Sequence, residues 1–260
     1  MLLAIDVGNT NTVFALHDGA DFIAEWRCST ESSRTADQYF VWLRQLMQHG
    51  GLEPALIDEV VISNTAPATL FNLRLLCDRY FNCRPLVVGK EGCDLPVEIR
   101  VDNPHEVGAD RLVNTVAAHA TYGPNLIVVD FGTATTFDVV GHDGAYVGGV
   151  IAPGVNLSLE ALKNAAAHLP HIDVTMPPHV VGTNTINGIQ SGAFWGYISL
   201  MEGVCRRIAA EKERDMTVIG TGGLSPLFAR ATDVIDHIDA DITMRGLVLI
   251  RDFNRAEAGA

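Results

Sequence analysis

The sequence lacks the features of several protein classes. It has no run of about 18 consecutive apolar residues, so a membrane-spanning helix is not expected. The N-terminus has no basic region, long apolar segment or cleavage site, because Asp6 interrupts it early. The five cysteines are scattered and form no Cys-x-x-Cys pair, which argues against a disulfide framework or a zinc site. These absences predict a cytoplasmic protein that does not contact the membrane.

Clustered positive charge is also missing. The formal net charge is -13, whereas binding to nucleic acid requires clusters of Lys and Arg that release counterions from the phosphate backbone. Nucleic acid is therefore not an expected partner. What the 260 residues do contain is 48% hydrophobic residues, which is enough to build one large α/β domain or two smaller ones.

Apolar segments alternate with segments of helical spacing along the chain. The opening stretch, LLAIDVGNTNTVFAL, predicts a strand, a polar turn and a second strand. Later strands such as EVVISNT alternate with helical patterns, the last of which runs from about Asp241 to Asn254. Beyond the first hairpins, this alternation predicts a mostly parallel sheet covered by helices, which is an α/β architecture.

The opening stretch is repeated once. The segment LIVVDFGTATTFDVV, which begins at Leu126, aligns with it without gaps at an offset of 124 residues. The alignment pairs three positions: Asp6 with Asp130, Gly8 with Gly132, and Thr12 with Thr136. A repeat of this length predicts two domains of similar plan, 1–120 and 121–260, with a terminal helix that could pack back on the first domain.

The repeated Asp-x-Gly-x-Thr turn suits phosphate chemistry. Glycine lets the backbone approach an anion, and nearby N–H and hydroxyl groups can donate to phosphate oxygens. An aspartate at the strand end can hold a hydrated divalent cation. Two such turns facing each other across a cleft could hold a nucleotide's phosphates, although each glycine could instead merely permit a tight hairpin. The pattern is neither a Walker A loop nor a Rossmann fingerprint, because a strand follows.

Three further segments carry candidate residues. VIGTGG ends a strand in Gly222 and Gly223, which fits either an adenosine contact or a simple strand-to-helix turn. GADRL places Asp110 at the start of a helix, where it could accept a proton or simply favour the helix dipole. Arg111 could bind a carboxylate, or be a solvated neighbour. The small residues that follow Thr185 could pack against another helix, a ligand or a second subunit.

An ordered set of motifs now indicates a family. DVGNTNT, NPHEVGADR, DFGTATTFD, GGVIAPG, NTINGIQSG and GTGG occur in the order and approximate spacing of type III pantothenate kinases, which this chain resembles from Asp6 to Gly223. The resemblance implies an α/β, actin-like fold of the acetate and sugar kinase, Hsp70 and actin superfamily, with two related domains. It also implies ATP-dependent phosphorylation of pantothenate to 4'-phosphopantothenate, which is the first step of coenzyme A synthesis. A homodimer, Mg²⁺ and a monovalent cation, K⁺ or NH₄⁺, are further implications.

The resemblance also implies roles for individual residues. Asp110 stands at the position of the catalytic proton acceptor, Asp130 at that of the K⁺ ligand, and Asp6 at that of a residue that organises Mg²⁺ through water. The implied ATP contacts are Asp6, Val7, Gly8, Asn9, Thr10, Asn11, Thr12, Val13, Thr133, Gly222 and Gly223. The implied pantothenate contacts are Gly108, Ala109, Asp110, Arg111 and Thr185, the last of which the neighbouring subunit of the dimer typically supplies.

One position departs from the family pattern. Many members have tyrosine before the Asp-Asn-Pro sequence, where this chain has Val101, so a ring contact with pantothenate is expected to be missing. Two other functions are compatible with the same sequence pattern. One is a transcriptional regulator resembling the Bvg accessory factor, and the other is an actin-like kinase that acts on a sugar or a carboxylate.

Overall fold

The structure is a computed structural model that describes residues 1–165 and 172–259. The backbone divides into two compact units. The first consists of Met1–Glu98, Asp102–Ala117 and Ile242–Ala260, and the second of Ile99–Val101 and Ala118–Asp241. The division between the larger segments falls between Ala117 and Ala118, and the terminal segment groups with the first unit.

The first unit contains a five-stranded mixed sheet with the order β3-β2-β1-β4-β5. Its strands are β1 (Leu2–Val7), β2 (Asn11–His17), β3 (Phe22–Ser29), β4 (Glu59–Asn64) and β5 (Leu86–Val87). β1 pairs antiparallel with β2 and parallel with β4. β2 pairs antiparallel with β3, and β4 pairs parallel with β5.

The second unit repeats this plan. Its strands are β6 (Leu126–Phe131), β7 (Ala134–Val140), β8 (Tyr146–Pro153), β9 (Thr217–Thr221) and β10 (His237–Ile238). The order is β8-β7-β6-β9-β10, which matches the first sheet strand for strand. The directions match as well, because β6 pairs antiparallel with β7 and parallel with β9. The expected α/β fold with two related units, each a mixed sheet flanked by helices, is therefore confirmed.

Seven α-helices accompany the strands in the described part of the chain. They are α1 (Ala36–His49), α2 (Leu70–Leu76), α3 (Ala109–Tyr122), α4 (Val155–Ala165), α5 (Thr185–Lys212), α6 (Ser225–Ala229) and α7 (Ile242–Gly259). α1 begins with a capping box, in which Thr35 Oγ1 accepts from the Gln38 N–H at 3.3 Å and Gln38 Oε1 accepts from the Thr35 N–H at 2.9 Å. Within the described residues, no helix is both long enough and apolar enough to cross a membrane.

The alternation of β1 decides which side chains reach which core. Leu3, Ile5 and Val7 enter a buried cluster shared with α1 and α2. Leu2 and Ala4 point to the other face and enter a cluster shared with α3 and α7. Successive strand residues face opposite sides of a sheet, so Asp6 continues the second series. The N-terminal hairpin therefore presents Asp6 on the face that α3 covers.

Candidate active site

The turn between β1 and β2, which we call the first turn (Gly8–Asn11), ends at exposed polar residues. The Gly8 N–H donates to the Asn11 carbonyl at 3.0 Å, which closes the turn. Asn9, Thr10 and Asn11 are exposed, whereas Val7 and Thr12 are buried. Of the predicted phosphate contacts, the turn residues are thus open to a ligand, and the flanking residues belong to the sheet.

Thr30 holds the first turn in place. Its hydroxyl donates to the Gly8 carbonyl at 2.8 Å, and its N–H donates to the Thr10 carbonyl at 2.9 Å. The Thr12 hydroxyl lies 2.8 Å from that of Thr30, and since the Thr30 proton is already used, Thr12 is the donor. The Thr12 side chain therefore supports the turn from within. Thr30 was not predicted from sequence, since its only signal is its place directly after the third strand.

Asp6 is half-buried, and one of its carboxylate oxygens is fully buried. Its Oδ1 has no hydrogen-bond partner among the described residues. Burial, with a smaller contribution from the nearby Asp110 carboxylate, raises the pKa of Asp6 to about 7, although the Ser63 hydroxyl and Arg27 act in the opposite direction. Ser63 is the register partner of Asp6 on β4, and it too was missed from sequence. A buried, partnerless carboxylate oxygen is a suitable contact for a cation or its bound water.

Asp110 lies in the first turn of α3. Burial raises the pKa of its carboxyl, against the opposing effects of the Arg111 backbone N–H and guanidinium. The Arg111 N–H donates to Asp110 Oδ1 at 2.8 Å. The Leu112 N–H donates to the Gly108 carbonyl at 3.3 Å, so Gly108 caps the helix. A Cβ on Gly108 would lie 2.5 Å from Asp110 Oδ1, so a larger residue at this position would collide with the carboxylate. Asp6 and Asp110 are thus brought together within the first unit.

The turn between β6 and β7, the second turn (Gly132–Ala134), is one residue shorter than the first. Its closing bond runs from the Gly132 N–H to the Ala134 carbonyl at 3.0 Å. In the first sheet Val7 pairs with Thr12, whereas in the second Phe131 pairs with Thr135. The gapless alignment of Thr12 with Thr136 was therefore wrong beyond the turn, because the shorter turn moves β7 by one residue. Thr135 takes the place of Thr12, and like Thr12 it is buried.

Asp130 lies at the end of β6 against glycine backbone. Its register partner on β9 is Thr221, as Ser63 is for Asp6. Gly222 has a φ of +84°, and a Cβ there would lie 2.5 Å from Asp130 Oδ1 and 2.7 Å from the Phe131 carbonyl oxygen. A carboxylate and a carbonyl oxygen that both lie against the same glycine are ligands of the kind that a hard cation takes. Gly223, by contrast, has no atom within 4 Å of the place that a Cβ would occupy, which leaves its backbone open.

Thr133 and Gly154 are neighbours in the second unit. The Gly154 N–H donates to the Thr133 carbonyl at 3.1 Å, and a Cβ on Gly154 would overlap the Thr133 and Gly132 carbonyl oxygens. The GGVIAPG motif thereby fixes the backbone of the second turn. Gly154 was part of a quoted motif, but it was not among the predicted site residues.

Thr185 and Val101 also lie in the second unit. Thr185 is the first residue of α5 and is exposed, next to the capping residue Asn184, whose side chain accepts from the Asn187 N–H at 2.9 Å. Val101 lies beside Gly148 of β8. Neither residue belongs to the unit that contains Asp110.

No cluster of three or more His, Cys, Asp or Glu side chains in the described residues could hold a metal by itself. A cation that takes one or two carboxylates together with water and phosphate oxygens, as Mg²⁺ commonly does, does not need such a cluster. The partnerless Asp6 Oδ1 in the first unit could serve as one ligand of this kind.

Two comparisons of the sequence with known proteins identify the same family. The family model for type III pantothenate kinase matches residues 2–207. A type III pantothenate kinase from Dinoroseobacter shibae is 65% identical over 255 residues, which cover 98% of this chain and 99% of that relative.

Two solved structures have a fold similar to that of this chain. A Campylobacter jejuni protein, provisionally described as a Baf family transcriptional activator, superposes with a TM-score of 0.59 at 17% identity and covers 98% of this chain and 99% of its own. A Sinorhizobium meliloti protein, provisionally described as a 2-dehydro-3-deoxygalactonokinase, gives 0.60 at 11% identity over 97% and 96%. These likenesses show the actin-like fold alone, whereas the sequence match covers nearly the whole chain. The chain belongs to the type III pantothenate kinase family.

Proposed function

We propose that this chain transfers the γ-phosphoryl group of ATP to the primary hydroxyl of pantothenate, giving ADP and 4'-phosphopantothenate, the first step of coenzyme A biosynthesis. The observation that carries the proposal is the pair of half-buried carboxylates, Asp6 and Asp110, which are near enough for one to raise the pKa of the other. Phosphoryl transfer needs a residue that takes the acceptor's proton and a group that organises the phosphates, and the first unit offers both.

Asp110 is the proton acceptor in this proposal. As the pantothenate oxygen forms its bond to the γ-phosphorus and the bond from that phosphorus to the ADP oxygen breaks, the hydroxyl proton passes to the Asp110 carboxylate. Its raised pKa makes it a stronger base than an exposed aspartate. Gly108, Ala109 and Arg111 flank it at the start of α3, where the Arg111 guanidinium suits the carboxylate of pantothenate.

The first turn and the strand ends beside it bind the ATP phosphates in this proposal. The exposed Asn9, Thr10 and Asn11 supply N–H groups and polar side chains, and Asp6, Val7, Gly8, Thr12 and Val13 set their positions. Thr133, Gly222 and Gly223 in the second unit are the further ATP contacts. The open backbone at Gly223 supports an adenosine contact there.

Two cations complete the proposal. Mg²⁺ is expected near the partnerless Asp6 Oδ1, through water, and K⁺ or NH₄⁺ near Asp130 and the Phe131 carbonyl. When bound, they neutralise part of the phosphate charge. The residues of this chain do the rest: they orient the carboxylates and hold Asp130 and the Phe131 carbonyl against the Gly222 backbone.

We also infer that the active form is a homodimer in which Thr185 contacts pantothenate from the neighbouring subunit. The glycines of α5 support this inference. A Cβ on Gly188, Gly192 or Gly196 would meet no described atom within 4 Å, so the described residues leave space beside this face of α5. Val180 and Val181, a few residues before this helix, and Ile186 in its first turn are exposed. Exposed apolar residues grouped beside an open helix face are typical of an interface.

The test is product formation with Asp110 and a matched control. Purified protein with ATP, Mg²⁺, K⁺ and pantothenate is expected to release ADP and 4'-phosphopantothenate, which mass spectrometry identifies. Asp110→Asn should lower kcat by about 100- to 10,000-fold, because the positioned base is lost. Asp78→Asn, an exposed aspartate just after α2, should leave kcat unchanged.

Two results would contradict the proposal. One is a lack of turnover by the unmodified protein, and the other is equal turnover by Asp110→Asn. Faster ADP release with acetate or a sugar than with pantothenate would indicate a different actin-like kinase. Sequence-specific retention of DNA without kinase activity would instead indicate a regulator.

A further inference from the structure

A row of four side chains crosses the first sheet at the level of Asp6. Ser63 on β4 is in register with Asp6 on β1, Asp6 with Val13 on β2, and Val13 with Arg27 on β3. Residues directly opposite one another in a sheet point to the same face. Arg27 therefore shares a face with Asp6, two strands away, which is about 10 Å by ordinary strand spacing.

The burial pattern of β3 confirms the direction of this side chain. Trp26 and Cys28, on either side of Arg27, pack against the core cluster beneath the other face of the sheet. The Arg27 side chain is 60% exposed. Its ion pair with Glu25 is long, at 3.6 Å, and both members are exposed, so the pair holds the guanidinium only loosely. The guanidinium is thus free to turn toward a ligand on the Asp6 face.

The end of β3 is tied to the first turn. Thr30, three residues beyond Arg27, bonds to the Gly8 and Thr10 carbonyls. The strand that carries Arg27 therefore ends at the same edge of the sheet as the turn proposed to bind phosphate. Because the strand and the turn share these bonds, the position of Arg27 relative to the turn is set by the sheet itself.

The negative charges on this face favour a positively charged side chain beside the phosphates. Asp6 and Asp110 are both acidic, and Arg27 is near enough to Asp6 to oppose the rise in its pKa. A nucleotide polyphosphate placed beside two carboxylates adds further negative charge. A guanidinium has a planar array of donors that matches phosphate oxygens and does not lose its charge.

We propose that Arg27 binds the terminal phosphate oxygens of ATP, donating from its guanidinium beside Asp6. This inference rests on the proposed ATP-dependent phosphoryl transfer and adds a residue that no motif pointed to. The phosphates are favoured over the carboxylate of pantothenate because β3 is tied to the first turn, whereas the acceptor segment at Gly108–Arg111 has its own arginine.

The test compares Arg27→Ala and Arg27→Lys with Arg44→Ala. Arg44 is an exposed arginine on α1, which packs on the other face of the same sheet. Equilibrium binding of ATP with Mg²⁺ should weaken about 10- to 100-fold in Arg27→Ala, which is the loss expected for a charge-assisted hydrogen bond. Arg27→Lys should recover part of that loss, because the charge remains. Arg44→Ala should bind ATP as the unmodified protein does.

Two further measurements separate a phosphate contact from other roles. Binding of adenosine, which has no phosphate, should be the same in all variants, and KM for pantothenate should not change. Unchanged ATP affinity and KM in Arg27→Ala would overturn the inference, and so would a rise in KM for pantothenate alone. Since binding is measured without turnover, a protein that binds ATP but transfers nothing would contradict the proposed function while still testing Arg27.

Discussion

At the scale of single residues, two aspartates of the first unit acquire different properties from different surroundings. Asp6 projects from a strand into the interior and has an oxygen without a partner, whereas Asp110 projects from a helix start and accepts from the Arg111 N–H. Burial raises the pKa of both carboxyls. The first suits a cation and the second a proton, because a cation replaces missing hydrogen bonds and a positioned carboxylate with a raised pKa is a better base.

The buried Asp6 carboxylate should cost stability when no ligand is bound. Its pKa is about 7 in the folded protein and 3.8 without burial, so the unfolded chain loses this proton at lower pH. Both states carry the proton well below pH 3.8, and the penalty grows as pH rises from there toward 7. At pH 8 it is at most about 4 kcal/mol, at 1.36 kcal/mol for each unit of pKa difference.

We therefore expect ligand-free Asp6→Asn to have a higher free energy of unfolding than the unmodified protein at pH 8. The difference should shrink toward pH 4.5, where Asp6 is protonated in the folded state. Urea unfolding at several pH values measures it, and the exposed Asp78→Asn should show no such trend. A variant that is less stable at pH 8, by an amount that does not depend on pH, would refute this account of Asp6.

The sequence predicts residues of this site unevenly, for a physical reason. Asp6 and Asp110 stand in recognisable motifs, and alternation along β1 already fixes the face of Asp6. Ser63, Thr30 and Arg27 stand in ordinary strand sequence, and their importance depends on which residues face them across the sheet. Register is a property of paired strands, so it cannot be read from one segment alone.

At the scale of secondary-structure elements, the two hairpins show the same limit. Both were predicted as strand, turn and strand, and the structure contains both. The one-residue difference between their turns could not be predicted from the sequence, because both segments place glycine and polar residues after an aspartate. Only the closing bonds, to Asn11 in one turn and to Ala134 in the other, reveal the difference. A one-residue shift turns a strand over, so Thr135 rather than Thr136 is buried like Thr12.

The neighbouring residues Gly222 and Gly223, which follow β9, have different structural roles. Gly222 has a left-handed φ of +84° and no room for a Cβ, since the Phe131 carbonyl oxygen would be 2.7 Å away. Gly223 has open space at the same place. The first glycine is therefore required by the fold, and the second leaves room for a ligand.

We expect Gly222→Ala to lower the free energy of unfolding by about 1–3 kcal/mol, because strained backbone and a backbone overlap must both be relieved. Gly223→Ala should unfold as the unmodified protein does, while its affinity for ATP falls. Thermal unfolding and equilibrium ATP binding measure the two effects separately. Normal stability in Gly222→Ala, or normal ATP affinity in a stable Gly223→Ala, would contradict the corresponding assignment.

At the scale of the whole molecule, the two units have the same sheet topology but different residues around the aspartate of the central strand. The strand orders and directions agree, and each unit has an aspartate at the end of its central strand. The surroundings of these aspartates differ: Asp6 is beside Ser63 and Asp110, whereas Asp130 is against glycine backbone. Terminal helix α7 packs through Met244, Leu247 and Ile250 on the cluster of the first unit. The sequence predicts this helix and offers the first domain as a surface on which it could pack, but it does not specify the contacts, because an amphipathic face fits any apolar surface.

The proposed dimer is testable through its geometry, since a site that takes Asp110 from one subunit and Thr185 from the other can be rebuilt from two inactive variants. Asp110→Asn and Thr185→Ala should each lose most activity. When the two chains are co-expressed with different tags, half of the dimers are mixed, and each mixed dimer has one site with both residues intact. The mixture should therefore recover about a quarter of the unmodified activity, by the symmetry of a two-fold interface.

Purifying the mixed dimer through both tags should raise this value to about half, because every such dimer then holds one intact site of two. The double variant, with both substitutions in one chain, is the control: paired with an unmodified chain, it leaves one substitution in each of the two sites. That dimer should be nearly inactive, although half of its chains are unmodified. Recovery in the control but not in the first mixture would mean that Asp110 and Thr185 of the same chain serve one site, and a monomer by light scattering would exclude the sharing altogether.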